Sequence, residues 1–178
     1  MANTTFQGPV TSKAGFITTG PANVVDADSS VSLTVATHSG KIVHNDAAGA
    51  VTYTLPATNA NSDSAVAGPG ADLNNLSNVG AKFEIFSSIT KTGDLVVQVA
   101  NATDVMIGGA SFIDDSSDNM VGFETASTSD TITLNGSTTG GLAGSIITCK
   151  AIGANRWGVQ VTSGGTGDLA TPFSAAVS

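Results

Sequence analysis

The chain has 178 residues, of which 40% are hydrophobic but only 5% aromatic and 11% charged. Fourteen acidic residues against six basic ones leave a net charge of −8 with no basic cluster, which excludes a sequence-independent grip on nucleic acid and argues against docking on anionic lipid. A surface poor in charged residues and rich in Ser, Thr, Asn and Gly cannot be clad in helices, so the composition predicts strands and turns.

Residues 1–30 hold isolated apolar positions, Phe6, Val10, Phe16, Ile17, Val24 and Val25, broken by Gly8-Pro9, Gly15 and Gly20-Pro21. That spacing predicts an extended arm, in which Phe6, Val10, Phe16 and Ile17 are candidate partner-binding residues because exposed aromatics need a cover. Met1–Phe6 lacks the charged and apolar regions of a signal peptide, and synthesis and assembly in the host cytoplasm are expected. From Val31 a period of two begins. Val31, Leu33 and Val35 share one face, His38-Ser39-Gly40 turns, Lys41–Asn45 runs back, Asp46–Gly49 turns, and Val51–Leu55 follows up to Pro56, which predicts a three-stranded meander.

Residues 57–80 form an Asn-, Ala-, Ser- and Gly-rich loop far above the usual length, with one helical turn expected at Asp72–Ser77. Strands resume at Lys82–Ile89, turn at Lys91–Asp94 and continue at Leu95–Ala100. Val105–Ile107 is read as a short strand ended by Gly108-Gly109, and Met120–Glu124 as a strand inside the polar stretch 111–130. Thr131–Leu134, Ser145–Ile152 and Trp157–Thr162 complete the core, the last two joined by a tight Gly153–Arg156 turn. The expected fold is all-β, an antiparallel sandwich or barrel. It comprises an arm (1–30), a core (31–162) and a C-terminal tail (163–178), with Tyr53 and Trp157 inside.

Chemistry-bearing residues are few. His38 and His44 flank a turn with Asp46 near the second, but a convincing third metal ligand is missing. Asp114–Asn119 is the densest acidic run and lacks EF-hand spacing. Cys149, the only cysteine, alternates with Ile147 and Ala151 and reads as a buried, inert thiol. The glycine runs 140–144 and 164–167 match no phosphate-binding loop and introduce no helix, and no nucleophile elbow occurs. The expectation is a protein with no catalytic residues, no cofactor and no metal.

The order of an alternating strand ending Thr54-Leu55-Pro56, a long Ala/Asn/Gly loop, the Phe83 strand, the Gly93-Asp94 turn, Ile107-Gly108-Gly109 and the closing Arg156-Trp157-Gly158-Val159 resembles β-rich virion proteins of tailed bacteriophages. The opening Phe6-Gln7-Gly8-Pro9-Val10-Thr11-Ser12-Lys13-Ala14-Gly15-Phe16 is similar to that of head-associated proteins of marine phages. The resemblance implies a capsid decoration, or cement, protein on the capsid exterior of the virion. Its partner would be the major capsid protein, and it would assemble as a homo-oligomer, commonly a trimer. The alternative it leaves is a fibre-head or knob module binding a host surface glycan. That module would need exposed aromatics, against which the alternation of Tyr53 and Trp157 counts.

Overall fold

The computed structural model describes residues 23–59, 78–117 and 119–177. The candidate partner-binding residues Phe6, Val10, Phe16 and Ile17 of the expected arm, and the expected turn at 72–77, lie outside them.

The first six strands are β1 (Val24–Asp26), β2 (Val31–Ser32), β3 (Ile42–Asn45), β4 (Val51–Thr54), β5 (Lys82–Ser87) and β6 (Leu95–Gln98). They alternate between two layers. The odd-numbered three lie side by side in parallel, Val24 against Ile42 and Ile42 against Glu84. The even-numbered three do the same, Val31 against Tyr53 and Val51 against Leu95. The chain therefore winds as a coil between two sheets. This corrects the expected meander, and the Lys91–Asp94 turn likewise leads from one sheet to the other: segments adjacent in sequence face each other across the core instead of hydrogen-bonding. Alternation fixes which face of a strand is buried, but it carries no information about which strand lies alongside.

The remaining strands are β7 (Val105–Asp114), β8 (Met120–Glu124), β9 (Thr131–Leu134), β10 (Ser145–Gly153), β11 (Arg156–Gly165) and β12 (Phe173–Ser174). One sheet has seven strands in the order β1-β3-β5-β10-β11-β7-β8, and the other has five in the order β12-β9-β6-β4-β2. The fold is an all-β sandwich of two mixed sheets. Its core joins Phe83, Ile85, Ile147, Trp157, Val161 and Phe112 of the larger sheet to Val51, Tyr53, Leu95, Val97, Ile132 and Leu134 of the smaller one. Each of these sits at every second position of its strand, as burial of one face requires.

Two local departures have identifiable causes. Val35 does not continue a strand. It opens a single helical turn, α1 (Val35–His38), because Thr34 caps it: the Thr34 hydroxyl accepts from the Thr37 N–H and His38 Nδ1 accepts from the Thr34 N–H at 3.0 Å. Gly108 and Gly109 do not end β7. Gly108 has φ +153°, and a Cβ there would stand 1.8 Å from the Val159 carbonyl oxygen, while one on Gly109 would stand 2.8 Å from that of Phe123. These glycines let β7 run between β11 and β8 without a break.

The expected tail, 163–178, also belongs to the body. Ser163–Gly165 completes β11, and β12 places Phe173 opposite Ile132 with Phe173 buried. Just before β9, the buried Asp130 carboxylate accepts from the N–H groups of Ala176 at 2.8 Å and Val177 at 3.3 Å. At the other end, Val24–Asp26 of the expected arm forms the edge strand β1. The Gly153–Arg156 turn forms as read, with Asn155 at φ 57° supplying the left-handed corner.

Candidate functional site

Parallel pairing of β1 with β3 sets Asp26 beside His44. The His44 ring joins Asp26 Oδ1 through Nδ1 at 3.0 Å and Ser88 Oγ through Nε2 at 2.9 Å, and it stacks near Phe86. Just past these strands the Asp46 N–H donates to Asp28 Oδ1 at 3.0 Å. Oxygens of Asp26, Asp28 and Asp46 thereby come within 4.8 Å of one another at an exposed corner. Hydrogen bonds from the Asp46 backbone and side chain hold the Asp28 carboxyl below the usual range. The same side-chain hydrogen bond to Asp28, and then its negative charge, push Asp46 up. The two carboxyls are coupled, so that Asp28 gives up its proton before Asp46 does.

Beneath this corner lies a buried polar network. Tyr53 Oη and Asn45 Nδ2 both donate to the Ala27 carbonyl, Asn45 also donates to Tyr53 Oη at 3.0 Å, and Lys91 Nζ donates to Asn45 Oδ1 at 3.0 Å and to the Ala47 carbonyl. Burial pushes the Tyr53 hydroxyl up to about 12 and lowers Lys91, the nearby Asp28 charge partly opposing the latter. The network ties β3, β4 and the Ser88–Asp94 crossing to the segment after β1. Three convergent carboxylates are hard oxygen donors of the kind a divalent cation takes. All three are solvated, and two of them are engaged with each other.

The sequence placed Asp46 near His44 but did not find Asp26 or Asp28. No local spacing could have found them, because parallel pairing of strands 18 residues apart in register brings them together. His38 and His44 occupy separate networks, His38 buried as part of the α1 cap. Asp114 accepts from the Ser116 N–H at 2.9 Å and from the Ser116 and Ser117 hydroxyls, which holds its carboxyl low and binds the turn together. Cys149 is fully buried, and burial pushes its thiol up to about 12. The glycine run at 140–144 is a packing turn in which the Gly141 N–H donates to Ser163 Oγ at 2.8 Å. Tyr53 and Trp157 are both fully buried.

The described ends of the 57–80 loop are tied by polar groups, to each other and to Asp104. Thr58 donates through N–H and hydroxyl to the buried Asp104 carboxylate, and Asn59 accepts from and donates to Asn78.

A second feature lies at the opposite edge of the larger sheet. On its outer face Ile107, Ile113 and Met120 are 46%, 54% and 73% exposed. Between them Gly109, Ser111, Gly122, Glu124 and Gln160 line an open trough of about 530 Å³. Apolar side chains in water beside a strand edge that no described strand pairs are features of a protein-binding surface. Comparisons with family models, with curated proteins and with solved structures find no match for this chain.

Proposed function

We propose that the chain is a structural virion protein that binds the outside of a phage capsid and stabilises contacts between major capsid protein subunits. The observation that supports this best is the outer surface of the seven-stranded sheet, where Ile107, Ile113 and Met120 stand in solvent and lead to the open edge at β8. Such a surface acts by contact. The reactive groups described above are spent on architecture: Asp104 and Asp130 hold loop and terminus, Lys91 bridges carbonyls, and Cys149 is sealed in the core. The virion resemblance of the strand order and of the opening segment adds the kind of partner, and the acidity of the chain fits a protein that touches neither packaged nucleic acid nor membrane.

Adding purified chain to undecorated capsids and measuring the copies retained per particle tests the reading. Hundreds of copies distributed over the shell, with raised resistance of the capsid to heat, are expected. A handful confined to the tail would replace decoration with a fibre-head role, and none would reject both.

A further inference from the structure

We propose that the free edge of β8 is a self-pairing interface, through which two copies join β8 to β8 about a twofold axis at Gly122 and fuse their seven-stranded sheets into one. The directions of the backbone groups carry the argument. The Asp114 N–H donates to the Asn119 carbonyl and the Thr125 N–H donates to the Gly108 carbonyl, so the odd-numbered residues 119 to 125 aim their peptide groups at β7. In a strand the intervening residues aim theirs the other way. Met120, Gly122 and Glu124 therefore present N–H and C=O groups outward at the sheet edge, where no described strand meets them.

Natural edge strands are shielded by proline, lysine, a bulge or brevity. At five residues β8 is the longest of the four edge strands described, and Met120-Val121-Gly122-Phe123-Glu124 has no proline, lysine or bulge, its one charge being Glu124 at the end of the strand. The inward side chains Val121 and Phe123 are only half buried, although Phe123 lies 5.5 Å from Phe112, ring to ring.

A second copy fits this edge in one register. Centred on Gly122, antiparallel pairing sets Gly122 opposite Gly122 and Met120 opposite Glu124, and these are the residues whose outward groups need partners. The same register sets Val121 against Phe123 in the closer, non-hydrogen-bonded pairs and covers the half-buried apolar face from both sides. No charge faces its own kind directly, because each Glu124 lies across from a methionine. An interface of this kind is isologous and closes on two copies. The pairing does not depend on the capsid reading and can be tested on the isolated protein.

Light scattering on the purified full chain should give a concentration-dependent dimer. Raising the salt should tighten it, since it screens the general repulsion between two chains of net charge −8. A Cβ on Gly122 has nothing closer than the Ala110 carbonyl oxygen at 3.9 Å, so Gly122→Cys is accommodated. Paired residues of this type have Cα atoms about 5.5 Å apart, within disulfide reach. Gly122→Cys should therefore cross-link to itself under mild oxidation or with a short bis-maleimide. Met120→Cys alone should cross-link poorly, and a mixture of Met120→Cys and Glu124→Cys chains efficiently.

Gly122→Pro removes an outward N–H without touching a bond to β7, and should weaken the dimer about tenfold or more. A chain that stays monomeric at high micromolar concentration, a trimeric mass, a dimer indifferent to Gly122→Pro, or cross-linking no better at Gly122 than at Met120 would each overturn the proposal.

Discussion

Trp157 is fully buried with its ring centroid 5.7 Å from that of Phe83, and its indole N–H finds no acceptor among the described residues. A buried donor left unpaired costs about 1–3 kcal/mol. Trp157→Ala should destabilise by about 3–5 kcal/mol, whereas Trp157→Phe keeps a ring and discards the orphan donor. Denaturant unfolding should show Phe costing well under half of what Ala costs, and equal losses would show that the indole nitrogen is satisfied in solution. Lys91 poses the converse case, a cation held among neutral carbonyls with its pKa lowered from 10.5 by burial. Across the window between that lowered value and 10.5 the unfolded chain binds the lysine proton more readily than the folded one, so this residue makes stability rise with pH there. Comparing the native chain with Lys91→Met over that range should remove this rising component. Parallel pH profiles would place the ammonium in water.

The strands themselves were largely legible in the sequence, because Val51-Thr52-Tyr53-Thr54-Leu55 and Trp157-Gly158-Val159-Gln160-Val161 alternate cleanly and burial follows the alternation. Partnership was not legible: β2 and β4 lie in parallel, and β3 lies in the opposite sheet. The candidate corner was half visible for the same reason, Asp46 and His44 being close in sequence while Asp26 and Asp28 arrive through pairing. β12 escaped notice because two residues carry no periodicity; its place depends on Asp130, which sits 46 residues from Ala176 in the chain. Asp130→Ala should release this element, exposing the amides of Ala176 and Val177 to rapid hydrogen exchange while β10 and β11 stay protected. Asp130→Asn keeps an acceptor and should lose less. Uniform loss of protection in both variants would mean that β12 and the core open as one unit.

For the molecule as a whole, every described strand lies after residues 1–22. Deleting them should leave a cooperatively unfolding β protein that no longer stays on capsids. Retention at unchanged affinity would assign the shell contact to the outer face around β7 and β8, within 111–130, or to the 57–80 segment, and none of it to residues 1–22. The coil of β1 to β6 also has a consequence for the order of events at the ribosome. β5 is sealed by β10 and β6 by β9, so both growing sheets end in raw edges until residues from the last third of the chain exist. Translation stalled so that residue 130 has just cleared the exit tunnel should yield a nascent chain that proteases cut freely and chaperones retain. Protection should arrive abruptly, only when Phe173 has emerged and the second layer can close.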